Sequence, residues 1–358
     1  MRISALRPLL TASSLGLLLV GGALVESDPD RNPLTLKAAD LFKMVSDDEP
    51  GSCADRPVDR LLREAGQLVD NATSVLNLFG GGGATFNQEH ENLANMLYAM
   101  FGAKYSDNQD SDTLSIDDDD DRQRLRDALE NFEAVQYGLK STGSSWRLAC
   151  GDGGVRRVKT LGDLGLTPAN EKISDKKALP WLENKDSDWF FWPQFSTEKE
   201  GEKGVYPLDT AALAAAVDDH QRSLPSSVAT PCQERGLRAI TYHNASLVLL
   251  CDVTWGYMSL KRAEELSANL PEYALLDNYL PLGYILLHEA MHMFTTTVVD
   301  IQRDGKAVYR WMACLALAKD PCTKAQTIEN AETYVLFSVG ALLKKHNWYP
   351  QGWSENVL

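Results

Sequence analysis

The segment YILLHEAMHMFTTTVVD, residues 284–300, carries two of the six histidines of the chain, four residues apart, with a glutamate directly after the first. Positions i and i+4 of a helix lie on one face, so His288 and His292 can present ring nitrogens to one metal ion. Glu289 can reach a water on that ion without binding the ion. The spacing is the HExxH pattern of zinc metalloproteases, in which zinc lowers the pKa of the water to about 7 and the glutamate takes its proton.

A catalytic zinc site needs a third protein ligand and leaves its fourth position to water. The sequence after His292 offers three candidates, which are Asp300, Asp304 and the acidic pair Glu329 and Glu332. A carboxylate eight residues after the second histidine would lie in the turn that follows the helix. A glutamate about forty residues on would lie on the next helix. Spacing alone permits both arrangements.

Helical periodicity dominates the first third of the chain. Pro57 opens an apolar stripe that runs to Leu76 at spacings of three and four, and two further stripes lie on either side of an acidic segment, 106–121. Two β-rich runs, 238–242 and 247–253, follow in the second half. Helical patterns then cover 257–268, 282–297 and 328–345. Because no internal repeat divides the chain, we expect one α+β domain, mainly helical, with a small β-sheet. The HExxH motif predicts that one of its helices is the active-site helix of a zincin-like metallopeptidase.

The N-terminus has the layout of a secretory signal peptide. A positive start is followed by an apolar run, 15–25, which passes small residues near Ala23. This run is shorter than the ~20 apolar residues of a spanning helix, and no later segment is long and apolar enough to span. The expected boundaries are a signal peptide at 1–23, a linker at 24–36, a folded domain at 37–346 and a tail at 347–358.

The composition agrees with an exported protein. The net charge of −15 repels nucleic acid and anionic membranes, and much of it lies in segment 106–121, which the sequence predicts to be a solvated acidic loop before a helix. Six cysteines without a CxxC pair favour three disulfides. Two glycosylation sequons, at Asn71 and Asn244, fit the same compartment. We expect a secreted, extracellular monomer that acts on protein or peptide substrates.

The chain resembles the deuterolysin-type metallopeptidases, the aspzincins, and more closely their secreted fungal relatives with a lysine-specific metallo-endopeptidase-like domain. Upstream of the histidines, PCQERGLRAITYHNASLVLLCDVTW, residues 231–255, is similar to the cysteine and strand segment of that family. Downstream, VVD, VYRWMACLALA and NAETYVLF follow the order of its ligand aspartate, its Tyr-Gly and cysteine stretch, and its closing helix. The resemblance covers residues 225–345.

This resemblance implies that His288, His292 and Asp300 bind one zinc ion per chain. It also implies that Glu289 is the general base and that Tyr309 stabilises the oxyanion of the tetrahedral intermediate. Some relatives prefer lysine beside the cut bond. The resemblance also implies disulfides Cys232–Cys251 and Cys53–Cys150, which leaves Cys314 with Cys322. Spacing alone leaves fifteen connectivities open.

The sequence also departs from the family pattern. Family members place the ligand aspartate after Gly-Thr-x and shortly before Tyr-Gly, whereas Asp300 follows two valines and Tyr309 is followed by Arg310. Glu332 stands where the closing helix has an aspartate. Besides binding the metal, a carboxylate there could accept the second ring N–H of a zinc histidine.

The expected function is a secreted zinc endopeptidase that hydrolyses peptide bonds with Glu289 as general base. An extended substrate would pair with an edge strand such as 247–250. The alternative is a non-catalytic zinc-binding or surface-interaction protein on the same fold, which the departures motivate. The retained Glu289 argues against it, because metal binding alone needs no base.

Overall fold

A computed structural model gives the fold. The structure describes residues 26–27, 32–45, 51–80, 84–108, 112–153, 156–158, 182–185, 188–191, 232, 237–243, 246–268 and 274–348. The predicted signal peptide at 1–23 and the sequon at Asn244 lie outside these residues. Asn71 lies inside a helix, beside the buried Thr73.

The described residues form an α+β fold in which helices predominate. The α-helices are α1 Ala38–Leu41, α2 Val58–Gly80, α3 Gln88–Phe101, α4 Asp119–Lys140, α5 Leu260–Ser267, α6 Gly283–Phe294, α7 Arg310–Lys319 and α8 Ala331–Leu342. The predicted apolar stripes become the buried faces of α2, α3 and α4. Helix α6 packs against α2, α4 and α8. The HExxH segment is therefore central to the helical core.

The strands are short. They are β1 Glu26–Ser27, β2 Lys43–Met44, β3 Ala84–Thr85, β4 Ser106–Asn108, β5 Thr113–Ser115, β6 Ser141–Thr142, β7 Arg147–Cys150, β8 Arg156–Val158, β9 Leu182–Lys185, β10 Asp188–Phe191, β11 Ala239–Tyr242, β12 Leu247–Leu250, β13 Gln302–Arg303 and β14 Lys306–Ala307. The largest sheet has the order β11-β12-β7-β2. Smaller antiparallel sheets are β3-β5-β4, β8-β10-β9, β13-β14 and β1-β6.

The expectation that strand 247–250 lies at a sheet edge is wrong. Strand β12 pairs antiparallel with β11 and parallel with β7, and its four residues are all buried. Both of its hydrogen-bonding sides are therefore used. Strands β11 and β2 are the outer strands of this sheet in the described part of the chain, and β11 contacts α6.

The acidic segment 106–121 is only partly a loop. It forms β4 and β5, and it then starts α4, where the side chain of Asp118 accepts a hydrogen bond from the amide of Asp121. Carboxylates in the first helical turn are favourable because they meet the positive end of the helix dipole. Asp121 is buried and pairs with Arg124 and Lys324. Asp118 and Asp121 therefore help to hold the start of α4 in place.

Two contacts fix the start of the HExxH helix against α2. The Glu64 carboxylate of α2 accepts hydrogen bonds from the Gly283 amide at 3.1 Å and the Leu260 amide at 2.9 Å. A Cβ on Gly283 would lie 2.4 Å from the Glu64 Cβ and 2.5 Å from the Ala65 nitrogen. Glycine at 283 is therefore what lets α6 approach α2 so closely. Burial raises the pKa of Glu64, although both backbone amides oppose the shift.

The cysteine prediction is right for two pairs and wrong for the third. The disulfides are Cys53–Cys150 and Cys232–Cys251. Cys314 and Cys322 are free. Helix α7 turns Cys314 into the core, where its sulfur lies 3.8 Å from the Val308 carbonyl oxygen, while Cys322 is exposed in the turn after the helix. The helix therefore points the two thiols in different directions.

The folded part extends slightly beyond the expected boundaries. Leu36, assigned to the linker, is buried against α2, and Trp348, assigned to the tail, is fully buried. None of the helices in the described ranges has the length and apolar character that a membrane span requires.

Candidate metal site

Helix α6 presents His288 and His292 on one face. Their ring centroids lie 5.0 Å apart, and their Nε2 atoms lie 3.3 Å apart. Both side chains are mostly buried. The predicted one-turn spacing thus brings the two nitrogens together.

Asp300 reaches the histidines because the chain after α6 is bound to the start of α8. The Val299 amide donates to the Glu329 carbonyl at 2.7 Å, and the Ala331 amide donates to the Val299 carbonyl at 3.0 Å. This short parallel bridge places Asp300 Oδ1 at 3.1 Å from His288 Nε2 and 3.5 Å from His292 Nε2.

The three ligand atoms have the spacing of a metal site. A tetrahedral ion with bonds of about 2.0–2.1 Å keeps its ligand atoms about 3.3 Å from one another. The observed separations are 3.1, 3.3 and 3.5 Å. Asp300 Oδ1 is also buried, and apart from its contacts with these two rings it has no hydrogen-bond partner among the described residues. The group His288, His292 and Asp300 could therefore hold a metal ion.

The other ring nitrogens are held by second partners. His292 Nδ1 lies 3.2 Å from the Val298 carbonyl oxygen, and His288 Nδ1 lies 3.4 Å from Glu332 Oε2. When Nδ1 carries the proton and donates it, the Nε2 lone pair is left for a metal. Both rings are thus oriented for metal binding through Nε2.

Glu332 is a buried acceptor on the far side of His288. The Tyr284 hydroxyl lies 3.0 Å from each of its oxygens, and the Arg310 amide donates to Oε1 at 3.1 Å. With the ring N–H of His288 these donors occupy both oxygens. The structure therefore joins Glu332 to Nδ1 of this histidine, away from the converging Nε2 atoms.

Two other candidate ligands lie outside the group. Asp304 and Gly305 form the turn of the β13-β14 hairpin, with φ angles of 52° and 72°, and Asp304 is exposed. Asn, Asp and Gly favour such turns because both central residues need positive φ. Glu329 is exposed at the end of a 3-10 helix.

The charges of the group stabilise a cation between them. Burial opposes a proton on His288, but the carboxylates of Asp300 and Glu332 outweigh it and raise its pKa well above the ordinary value. Burial would also raise the pKa of Asp300, but the two histidines hold this pKa far below the usual range. Without a metal, the protonated ring of His288 supplies the positive charge.

Glu289 lies beside the metal-binding group and is buried. The Thr241 hydroxyl of β11 donates to Glu289 Oε2 at 2.7 Å. This contact fixes the carboxylate and leaves Oε1 without a protein donor among the described residues. Sequence reasoning did not find Thr241, because it comes from a strand 48 residues away.

Tyr309 stands at the opening of the site. Its ring centroid lies 5.8 Å from that of His288, its hydroxyl bonds to Asp300, and 43% of its surface is exposed. Burial of the hydroxyl, the charge of Asp300 and this hydrogen bond raise the pKa of Tyr309. The hydroxyl therefore stays protonated and can donate a hydrogen bond.

Asn330 is a second residue that sequence reasoning missed. It is fully buried, its Oδ1 accepts from the Ile301 amide at 3.3 Å, and its Nδ2 donates to the Val308 carbonyl at 3.2 Å. One side chain therefore holds the segment after Asp300 and the segment before Tyr309.

A cavity of about 460 Å³ opens beside the group. Its walls come from β11, the segment before α6, α6 itself, and the starts of α7 and α8. Its polar lining consists of Arg238, Asp277, Asn278, Tyr284, His288, Glu289, Tyr309, Arg310 and Glu332. The cavity is large enough for a side chain of a bound peptide.

The other histidines that the structure describes are not members of the group. His90 contacts the Thr85 carbonyl, His243 packs against Trp146, and His346 contacts a carbonyl of α5. His220 lies outside the described residues.

Comparisons with models of protein families, with curated proteins and with solved structures gave no match to this chain. The residues of the chain and their contacts therefore carry its functional assignment.

Proposed function

We propose that the protein is a zinc-dependent endopeptidase. The carrying observation is the spacing of 3.1, 3.3 and 3.5 Å among the Nε2 atoms of His288 and His292 and Asp300 Oδ1, with Glu289 beside them. The resemblance of segment 225–345 to the deuterolysin-type peptidases supports the same reading.

The donor set suits zinc. Two imidazole nitrogens and one carboxylate are a usual ligand set of catalytic zinc, which leaves one position open. An ion held there would polarise the carbonyl of the bond to be cut and lower the pKa of a water molecule.

Glu289 acts as the general base and then as the acid. Its carboxylate takes a proton from the attacking water and passes it to the nitrogen of the leaving amine. The hydroxyl of Thr241 holds Oε2 during both transfers. The hydroxyl of Tyr309, at the opening of the site, donates to the oxyanion as the tetrahedral intermediate forms.

The substrate is an extended segment of a protein or peptide. Strand β11 is one of the two outer strands of the described four-stranded sheet, and its first residue, Ala239, lines the cavity beside the metal-binding group together with Leu237 and Arg238 just before it. A peptide that adds to this strand by main-chain hydrogen bonds would pass the site in extended form. Strand β11 thus takes the place first expected for 247–250.

We further propose that the protein is secreted. The N-terminal pattern of residues 1–23 is that of a signal peptide. Two disulfides are consistent with an oxidising, extracellular compartment.

The test is hydrolysis of an unfolded protein by wild type and by Glu289→Gln, with bound zinc counted in both. We expect cleavage to fall by about 10²–10⁴-fold in the variant, because the base is lost, while zinc stays at about one per chain. Glu329→Gln removes an exposed carboxylate near the site and should cut like wild type. If wild type and Glu289→Gln both bind zinc and neither cuts, the non-catalytic metal-binding function replaces this proposal.

A further inference from the structure

Two arginines, Arg238 and Arg310, line the cavity beside the metal-binding group, and neither lies within ion-pair distance of a carboxylate in the part of the chain that is described. The Arg238 guanidinium lies 5.1 Å from the ring centroid of Tyr257, and its Nη1 lies 3.3 Å from the Tyr284 hydroxyl. Arg310 is exposed, and only its backbone amide is used, by Glu332. Most guanidinium N–H donors of these two arginines therefore have no hydrogen-bond partner among the described residues.

Two acidic side chains of the cavity, Glu332 and Asp277, are already engaged. Glu332 accepts from Tyr284 and from the Arg310 amide, and Asp277 Oδ1 accepts from the Trp311 amide at 3.2 Å. Burial raises the pKa of Asp277, although the arginines oppose the shift. Away from the metal-binding group and Glu289, the charged side chains with free hydrogen-bonding capacity at the cavity are thus Arg238 and Arg310.

The backbone of Arg310 gives a second observation. Its φ angle is 68°, in the left-handed region that favours glycine. A side chain in this conformation is strained, and such strain tends to occur at functional sites. Glycine would adopt this conformation without strain, so arginine occupies the position at a conformational cost.

We propose that Arg238 and Arg310 bind a carboxylate group of the substrate. The planar guanidinium matches a carboxylate with two parallel hydrogen bonds, which gives both strength and orientation. The peptidase would then favour bonds near an acidic side chain or near a free C-terminal carboxylate. This inference rests on the proposed peptidase function and adds its substrate class.

Binding and cleavage are measured separately on the full chain with zinc. Fluorescent peptides carry Glu, Gln or Lys at each position around one bond, and each is made as a free acid and as an amide. Anisotropy with Glu289→Gln measures binding without turnover, and wild type measures cleavage. The side-chain series and the C-terminal series distinguish the two sources of the carboxylate.

We expect carboxylate peptides to bind and to be cut at least tenfold better than their neutral partners. Arg310→Gly should reduce this preference to less than threefold, and it should fold, because glycine accepts the observed backbone conformation. Arg238→Gln should also reduce the preference for carboxylate peptides. Arg262→Gln removes an exposed charge on α5, outside the cavity, and should keep the full preference.

Several results would overturn the inference. One is equal binding of the Glu, Gln and Lys peptides, whether they end in a free acid or an amide, and another is a preference for lysine. The others are a carboxylate preference that is undiminished in Arg310→Gly, and no peptide binding at all. Cleavage without a carboxylate preference would leave the peptidase function standing and reject the arginine site. A carboxylate preference in binding without cleavage would reject the peptidase function and keep the arginine site.

Discussion

His288 shows how one side chain can contact both a candidate metal ligand, Asp300, and a carboxylate behind it, Glu332. Its Nε2 faces Asp300 and its Nδ1 faces Glu332, so the doubly protonated ring can donate to both carboxylates. A metal on Nε2 must displace one of these protons. Metal binding and protonation therefore compete at this ring.

We predict that metal binding releases a proton from His288. Its pKa in the metal-free protein is raised well above 6.5, so the ring is charged at pH 7 and must lose a proton. Calorimetry in buffers of different ionisation enthalpy should show about one proton released per zinc ion, and zinc affinity should fall about tenfold per pH unit below the pKa of His288. Zinc affinity that does not change between about pH 6 and pH 7 would contradict the raised pKa.

A second prediction separates Glu332 from the metal ligands. Glu332→Gln keeps the shape but weakens the acceptor of the His288 ring N–H, so zinc affinity should fall about 10–100-fold. Asp300→Asn should lower zinc affinity further than Glu332→Gln does, because a direct ligand loses its charge. Competition with a chromogenic chelator measures both.

Asp304→Asn is the matched control for these variants. Asparagine accepts the left-handed turn conformation of residue 304, and the position lies outside the metal-binding group. Its zinc affinity should equal that of wild type. A large loss in Asp304→Asn, with none in Asp300→Asn, would reassign the third ligand.

Among the secondary-structure elements, α6 shows most clearly how packing positions the site. Its start is fixed by Gly283 against α2, and its far end is fixed where Gly138 of α4 meets the ring of Phe294, which a Cβ would approach to 2.4 Å. Both ends of the helix are thus held by glycines of the core.

We predict that Gly283→Ala destabilises the protein by about 2 kcal/mol or more, because the new methyl group meets backbone atoms of α2 that cannot move freely. Urea denaturation measures the free energy of unfolding. Gly256→Ala is the control, since a Cβ there meets no described atom within 4 Å. Equal stability of the two variants would show that α2 and α6 do not pack as closely as described.

The elements also show what sequence patterns can predict. Long helices such as α2 and α4 were predictable because their apolar stripes repeat over several turns. Helix α7 was missed because it is only 10 residues long and carries Trp311, Leu315 and Met312 around its surface, so its stripe is poorly defined. Its presence is also the reason that Cys314 does not meet Cys322.

At the scale of the whole molecule, the Cys53–Cys150 disulfide joins the segment before α2 to the central sheet across 97 residues. This loop contains α2, α3 and α4, and α2 and α4 pack directly on α6. The bridge therefore supports the helices behind the metal-binding group.

We predict that replacing both cysteines by serine lowers the free energy of unfolding by about 2–5 kcal/mol, because the unfolded chain regains the freedom of a long loop. Urea denaturation of the oxidised protein measures the loss. Cys322→Ser removes an exposed free thiol and should unfold like wild type. Unchanged stability without the long bridge would mean that the two segments are held by packing alone.

Some residues of the candidate site are close together in the sequence, and others are brought together only by folding. His288, Glu289 and His292 follow from one helix, so their spacing is visible in the sequence. Thr241 and Asn330 act across 48 and 29 residues, at Glu289 and at Ile301 respectively, and only the folded chain brings them there. No local pattern encodes such contacts.

The left-handed backbone at Arg310 has a consequence for how this protein can change. Glycine and arginine codons can differ by one base, and this position already has the backbone conformation that glycine prefers. A single point mutation could therefore add or remove a cation at the mouth of the cavity with little rearrangement of the main chain. Residue 310 is thus a place where selection, or a laboratory library, could alter in one step which molecules the cavity binds.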